Sequence, residues 1–253
     1  MKMILFVPGL LLFPAVCTTL GAAGAFLLRR PQEPKTQRML NGMAAGIMLA
    51  ASVWSLLLPA IERAGNDRLP RWIPPSLGLL LGAAGLLRLE RISGQLLASG
   101  TGQAGRCRRM VLAVTLHNLP EGMVVGLAAA LALRGEPDGL SGALALALGI
   151  GLQNIPEGAA VSLPLLQTGQ SRKRAFALGA ASGLIEPIGG LAAITLAGWV
   201  GTVLPWLMSA AAGCMVCVTA AEMIPEAVEP DESAGVLSIV AGFALMMALD
   251  VAL

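Results

Sequence analysis

Long apolar stretches separated by short polar loops make up most of this chain. A helix needs about 20 apolar residues to cross a bilayer core of roughly 30 Å. Eight stretches approach this length, and they predict an all-α, polytopic membrane protein with a single transmembrane domain over residues 1–253. The predicted spans are residues 4–28, 38–61, 74–90, 107–133, 139–166, 174–199, 203–225 and 234–253.

The fourth and fifth spans carry the same polar motif, 36 residues apart. The copy from His117 to Gly122 reads His-Asn-Leu-Pro-Glu-Gly, and the copy from Gln153 to Gly158 reads Gln-Asn-Ile-Pro-Glu-Gly. A carboxylate at membrane depth costs on the order of 2 to 3 kcal/mol even on lenient insertion scales. The doubled motif therefore predicts a cation site between the fourth and fifth helices.

Helical spacing places the polar side chains of each copy on one face. Residues four apart share a face, so His117 lies one turn from Glu121, and Gln153 lies one turn from Glu157. Imidazole nitrogen and carboxylate oxygen suit zinc, iron or manganese. Together with weaker amide ligands they favour a site that selects a metal ion and then releases it.

Each copy also contains a proline and a glycine. Pro120 and Pro156 each remove a backbone hydrogen bond, which is tolerated at membrane depth where the backbone lines a cavity. Gly122 and Gly158 permit close helix approach, so we expect them to bring the two polar faces together.

Composition agrees with a membrane protein and excludes some partners. Apolar residues make up 56% of the chain, charged residues make up only 13%, and the mean hydropathy is +0.76. No separate water-soluble domain is indicated. The net charge of +2 is too small to indicate a nucleic-acid partner.

The basic residues predict the orientation, because cytoplasmic loops carry an excess of Lys and Arg. Loops one, three and five hold twelve of the seventeen basic residues, so we expect these loops in the cytoplasm and both termini outside. Those twelve are Arg29, Arg30, Lys35, Arg38, Arg88, Arg91, Arg106, Arg108, Arg109, Arg172, Lys173 and Arg174. Loop seven breaks the trend with four acidic residues, but acidic residues count little in this rule.

The first span also has features of a cleavable signal peptide. Lys2 precedes an apolar run, and small residues follow at positions 21–25. The apolar stretch then continues through Leu28 and meets Arg29 and Arg30, which is a stop-transfer pattern. We therefore predict an uncleaved first span.

The doubled motif resembles the signature of the ZIP (Zrt/Irt-like protein) family of divalent metal transporters, in its GufA-like bacterial branch. Residues 182–187, Ser-Gly-Leu-Ile-Glu-Pro, are similar to the family's sixth-span pattern. The resemblance covers essentially the whole chain. It implies a homodimer in the bacterial cytoplasmic (inner) membrane that moves metal into the cytoplasm through a binuclear site at mid-bilayer. Zinc is the leading candidate, with iron, manganese and cadmium as others, and no prosthetic group is implied.

The resemblance also implies which residues hold the two ions. The ligands implied for the first ion are His117, Glu121, Gln153 and Glu157. Those implied for the second are Asn118, Glu121, Asn154, Glu157 and Glu186. Met48 of the second span resembles a position that adds a thioether ligand. Many family members have histidine where Gln153 stands, so the resemblance implies a weaker or more permissive first site here.

Some of these residues have alternative structural roles. Glu186 can pair with a buried hydroxyl such as that of Ser182, and Met48 can fill a gap in the core. Glu222, near the end of the seventh span, either guides ions toward the cytoplasm or simply meets water. The sequence leaves these alternatives open.

An intramembrane metal-dependent hydrolase is the alternative function, with His117 and Gln153 as ligands and a glutamate as general base. Zinc hydrolases use a motif such as H-E-x-x-H or three strong ligands, whereas this chain has one histidine. Cys214 and Cys217 form a C-x-x-C, but apolar neighbours surround them, so packing is the favoured interpretation. We therefore predict a transporter and not an enzyme.

Overall fold

The computed structural model of the protein describes residues 2–27, 33–64, 69–96, 103–136, 139–167, 169–199 and 203–252. Within these residues the regular structure is helical, apart from one bridge between Glu229 and Glu232. We group the helices into eight segments, α1 to α8 in chain order, and four of these segments consist of two or three consecutive parts.

The helical segments follow the predicted spans closely. They are α1 (Lys2–Ala22 and Gly24–Leu27), α2 (Pro34–Ala51, the π-helical Ser52–Leu57, and Leu58–Arg63), α3 (Ile73–Leu96), α4 (Gln103–Leu133), α5 (Gly139–Gln167), α6 (Arg172–Gly183 and Ile185–Trp199), α7 (Leu204–Val218, the π-helical Thr219–Met223, and Ile224–Ala227) and α8 (Ala234–Ala252). The largest difference is in α3, which continues beyond the predicted end at residue 90. Leu28 and Leu253, at the ends of two predicted spans, lie outside the described residues.

Seven helical stretches among the described residues are long and apolar enough to cross a membrane. The segment that is not among them is α3, whose C-terminal part carries Arg88, Glu90 and Arg91. A polytopic helical membrane protein is thus supported, while the passage of α3 through the bilayer, and with it the total of eight spans, stays a prediction.

The segments pack in two groups. In the first group, α1 packs along α5, and α4 packs along α5 and α6. In the second, α2 packs along α8, and α3 packs along α7. The groups meet where α2 and α8 contact α5 and where α7 contacts α4. Both polar motifs belong to the first group.

The motif glycines bring other helices to the motif instead of joining α4 to α5. A Cβ atom on Gly122 would lie 2.0 Å from the backbone oxygen of Glu186 in α6. A Cβ atom on Gly158 would lie 2.0 Å from the backbone oxygen of Thr18 in α1. The close approach was expected, but its partners are α6 and α1, so four helices surround the polar residues.

The acidic seventh loop lies beside the basic start of α2. Arg38 donates hydrogen bonds to Glu232 and, at 3.3 Å, to Glu229, and the Lys35 Nζ atom lies 3.3 Å from Glu232. The hydrogen bond from Arg38 lowers the pKa of Glu232 below its ordinary value. Loop seven therefore shares a face of the protein with the start of α2, which agrees with the predicted topology.

Five of the basic residues used for the topology prediction cannot be assigned to a face of the protein by their contacts. They lie outside the described backbone or have side chains outside the described set: Arg29, Arg30, Arg106, Arg108 and Arg109.

Candidate metal site

The eight residues predicted to hold metal all lie on described parts of α2, α4, α5 and α6. Seven have buried side chains, and Glu157 is partly exposed. The seven are Met48, His117, Asn118, Glu121, Gln153, Asn154 and Glu186. Such a concentration of buried polar groups in apolar helices is costly unless the groups are paired or bind an ion.

Glu121 and Gln153 connect the two copies of the motif. The Gln153 Nε2 atom donates a hydrogen bond to Glu121 Oε1, and each of these residues is 1% exposed. The predicted meeting of the two polar faces is therefore present in the structure.

Glu186 lies behind this pair, at the junction of α1, α5 and α6. Thr18 Oγ1 donates to Glu186 Oε1 at 2.8 Å, and Asn154 Nδ2 donates to Glu186 Oε2 at 2.9 Å. The Ser182 hydroxyl, which the sequence suggested as a partner of Glu186, donates instead to the backbone oxygen of Gly179 at 2.7 Å. The hydroxyl partner is Thr18, a residue that the sequence analysis did not single out.

Four buried oxygen atoms in this cluster lack a hydrogen-bond partner among the described residues. They are Asn118 Oδ1, Glu121 Oε2, Gln153 Oε1 and Asn154 Oδ1. A buried polar atom left without a partner costs about 1 to 3 kcal/mol. Amide and carboxylate oxygens are ligands for divalent cations, so a bound cation would supply the missing partner.

His117 contacts two carboxylates that lie on the other group of helices. Its Nε2 atom lies 3.2 Å from Glu90 Oε1 of α3 and 3.6 Å from Glu222 Oε1 of α7. One ligand atom from each of the three residues lies within 4.8 Å of the others, a spacing that could hold a metal ion. Glu222 thus reaches the imidazole although its side chain is 45% exposed.

Glu90 was missed by the sequence analysis. It stands between Leu89 and Arg91, close to Arg88, where the charged residues indicated the beginning of a basic loop. No repeated motif marks it. The packing of α3 against α7 and α4 brings it to His117.

A cavity of about 330 Å³ adjoins the cluster, and its wall includes Glu121 and Glu157. At its other end it is lined by Asn41 of α2 and by the exposed Glu226 of α7, which hydrogen-bond to each other at 2.9 Å. Asn41 lies one turn after Arg38, so this end of the cavity lies on the face that carries the basic start of α2.

Met48 lies in the cavity wall beside the two π-helical parts. Its Sδ atom lies 3.8 Å from Thr219 Oγ1, whose hydrogen is donated to the Met215 backbone oxygen at 2.7 Å. The Met48 backbone oxygen accepts a hydrogen bond from Ser52 Oγ at 2.7 Å. Thr219 and Ser52 are the first residues of the π-helical parts of α7 and α2. π-helical turns are often found at functional sites. Met48 therefore both packs in the core and borders the cavity.

Cys214 and Cys217 lie on α7, a segment that carries none of the eight predicted ligands. Cys214 Sγ donates to the backbone oxygen of Gly82 at 3.3 Å, and both cysteines pack against the hydrophobic core. This supports a packing role for the C-x-x-C sequence.

Comparison with known protein families shows which family the chain belongs to. A family model described as "ZIP Zinc transporter" matches residues 101–250, a range that includes both motif copies and Glu186. The chain belongs to the ZIP zinc transporter family. As a member of this family it is a transporter and not an enzyme, so the intramembrane hydrolase is not favoured.

Individual relatives in this family cover most of the chain. Zinc transporter ZIPB of Bordetella bronchiseptica is 38% identical over 246 residues, which is 93% of this chain and 77% of the relative. Zinc transporter GufA of Myxococcus xanthus is 34% identical over 240 residues, covering 90% and 89% of the two chains. Human zinc transporter ZIP11 is 31% identical over 324 aligned positions, covering 93% and 94%. The resemblance read from the motifs is confirmed.

Proposed function

We propose that this protein carries zinc into the cytoplasm through a binuclear site between α4, α5 and α6, and that iron, manganese and cadmium can use the same site. The relatives described above are named zinc transporters, which favours zinc as the main substrate. The observation that carries the proposal is the group of four buried oxygen atoms without partners, which a cation would complete.

The two ions would share the two motif glutamates. Glu121 keeps one carboxylate oxygen free of described hydrogen-bond partners, and Glu157 lines the cavity, so both are available as bridging ligands. The first ion would add His117 and Gln153. The second would add Asn118, Asn154 and Glu186. Met48 of α2 would offer its sulfur atom to an ion in the cavity.

The position of the cavity supports inward transport. It extends from the motif glutamates to the face that carries the basic start of α2, which is the predicted cytoplasmic face. Glu90 and Glu222 lie beside His117 near this path, so an ion leaving the binuclear site would meet these two carboxylates before it reaches water. This arrangement favours release into the cytoplasm.

Alternating access would be produced by movement between the two groups of helices. Seven of the eight proposed ligands lie in the group formed by α1, α4, α5 and α6, while Met48 lies in the other. A sliding or rocking of the first group would carry both ions with it. We also propose, on the family resemblance, that the protein is a homodimer in the cytoplasmic membrane of a bacterium with both termini outside.

Replacement of a bridging ligand tests this function. Purified Glu157→Ala protein in proteoliposomes should show no zinc uptake above the empty vesicles, because both ions lose a carboxylate. Glu33→Gln is the matched control, since Glu33 is an exposed glutamate at the start of α2, and it should transport normally. A panel of zinc, iron, manganese and cadmium, with and without an imposed pH gradient, would define the substrate. Uptake of all four metals by Glu157→Ala at the wild-type rate would disprove the proposal.

A further inference from the structure

The α1 segment contributes a hydroxyl group to the polar cluster although it contains none of the predicted ligands. Thr18 is fully buried, and its Oγ1 atom lies 2.8 Å from Glu186 Oε1. The other carboxylate oxygen of Glu186 accepts from Asn154 Nδ2 at 2.9 Å. Two neutral donors on two different helices therefore fix the orientation of this carboxylate.

Neighbouring helices leave room for Thr18 at this point. A Cβ atom on Gly158 of α5 would lie 2.0 Å from the Thr18 backbone oxygen, and one on Gly183 of α6 would lie 2.8 Å from the Thr18 Cβ atom. Any larger residue at either glycine would push α1 away. The close packing of α1, α5 and α6 thus holds the hydroxyl against Glu186.

The same contacts determine which atom of Asn154 remains available. Asn154 Nδ2 donates to Glu186 and, more weakly at 3.4 Å, to the backbone oxygen of Pro14. Its Oδ1 atom is left buried and has no partner among the described residues. An amide whose nitrogen is engaged in this way offers its oxygen to a cation.

Two acceptors lie within hydrogen-bond distance of the Thr18 hydroxyl. Its Oγ1 atom is also 3.2 Å from the Pro14 backbone oxygen, and a hydroxyl has only one hydrogen to donate. The shorter contact is with Glu186, and a hydrogen bond to a charged acceptor is the stronger kind.

We propose that Thr18 is a positioning residue for the second ion: its hydroxyl holds the Glu186 carboxylate, and through it Asn154, in the orientation that binds metal. This rests on the proposed function of Glu186 and Asn154 as ligands. Thr18 itself does not touch the ion. Its contribution is to the affinity of the site and not to the amount of folded protein.

Removal of the hydroxyl at constant side-chain shape tests this role. Thr18→Val should raise the zinc KM roughly tenfold to a hundredfold, since a hydrogen bond to a charged group contributes about 1.5 to 3 kcal/mol. Thr18→Ser should restore a KM close to that of the wild type. A purely structural role would lower the maximal rate through loss of protein and leave the KM unchanged.

Thr19→Val is a matched control on the next residue of α1. The Thr19 hydroxyl donates to the Ala15 backbone oxygen at 2.8 Å, within its own helix, so its loss should leave the zinc KM within about twofold. An equal rise in KM for Thr19→Val, or an unchanged KM for Thr18→Val, would overturn the proposal.

Two further variants separate the possible failures. If Thr18→Val does not reach the membrane, Thr18→Cys is compared with Thr18→Ser, because the two differ only in the donor atom and a thiol is a weak donor. A higher KM for Thr18→Cys supports the role of the hydroxyl, and equal KM values overturn it.

Glu157→Ala, measured in the same experiment, reports on the metal site itself. Loss of uptake in Glu157→Ala with normal Thr18 variants would overturn the role of Thr18 alone, whereas normal uptake in Glu157→Ala would overturn the binuclear site.

Discussion

The polar cluster has two halves that differ in how they are supported. We call the side formed by Thr18, Asn118, Asn154 and Glu186 the closed half, and the side formed by Glu90, His117, Glu157 and Glu222 the open half. In the closed half every side chain is buried and hydrogen-bonded to a neighbouring helix. In the open half, Glu90, Glu157 and Glu222 are partly exposed.

The difference between the halves indicates that one half selects the ion and the other releases it. Buried groups held by fixed hydrogen bonds bind an ion without having to reorganise, which favours selection. Partly hydrated carboxylates bind more weakly and exchange faster, which favours release. The hydrogen bond between Gln153 and Glu121 joins the two motif copies, so under the proposed function an ion would pass from the closed half to the open one.

The strongest test of this contrast uses two asparagine–glutamate pairs of the same length. Asn154 donates to buried Glu186 at 2.9 Å, and Asn41 donates to exposed Glu226 at 2.9 Å. Asn154→Ala should reduce the initial rate of zinc uptake at low zinc roughly a hundredfold, because a buried charged acceptor loses its donor and the site loses a ligand. Asn41→Ala should reduce the rate less than about fivefold, since exposed pairs contribute under about 1 kcal/mol. Similar losses in both variants would contradict the contrast.

The asymmetry between the motif copies provides a second test. Gln153→His would give the second copy the imidazole that the first has at His117. We expect the zinc KM to fall roughly tenfold and the maximal rate to fall as well, because a stronger ligand holds the ion longer. Competition among divalent metals in the same vesicles should show a greater preference for zinc. Gln170→His, in the turn before α6, is the control and should leave KM and preference unchanged.

The packing around the closed half can be tested through stability. Gly122→Ala should destabilise the protein by roughly 1 to 3 kcal/mol, because the added Cβ atom would lie 2.0 Å from the Glu186 backbone oxygen. Gly85→Ala in α3 is the control, since no described atom beyond the neighbouring backbone of its own helix lies within 4 Å of the added Cβ. That variant should be as stable as the wild type or up to about 1 kcal/mol more stable. Thermal unfolding in detergent measures both, and equal melting temperatures would contradict the tight α4–α6 contact.

The smallest effect is expected at the ion pairs between loop seven and the start of α2. The pKa of Glu232 is lowered by its hydrogen bond from Arg38, so the pair stabilises the folded state above the ordinary glutamate pKa of about 4.3. This contribution should be lost as the pH falls through the lowered pKa. Glu232→Gln should therefore melt slightly below the wild type at pH 7, and the difference should be smaller at pH 3. Asp231→Asn, for which no ion pair with a described residue is found, should match the wild type at both pH values. A Glu232→Gln deficit that is as large at pH 3 as at pH 7 would exclude this explanation.

The helices and most residues of the polar cluster could be predicted from the sequence because their signals are local. Apolar runs of membrane length indicate the spans. The motif copies at His117 and Gln153 place polar groups within such runs, where apolar residues are expected. The family resemblance then extended the site to Glu186 and Met48. All of these residues lie at or beside the cluster in the structure.

Thr18 and Glu90 could not be predicted, since nothing in their local sequence marks them. Thr18 lies beside another threonine within an apolar run, and Glu90 lies among charged residues at the end of one. Each reaches the cluster through contacts with residues distant in the chain. The helices that approach Gly122 and Gly158 could not be predicted for the same reason. A glycine shows that a close approach is possible, but only the tertiary packing determines which helix approaches.

The most direct test of the central claim is to locate the metal itself. Crystals of the protein grown with cadmium, measured for anomalous scattering, should show two ions between α4, α5 and α6, with oxygen atoms of Glu121 and Glu157 within about 2.6 Å. The first ion should also contact His117, and the second should contact Asn154 and Glu186. Density confined to the open half, beside Glu90 and Glu222, or an ion-free space between the motif glutamates at saturating cadmium, would contradict the account.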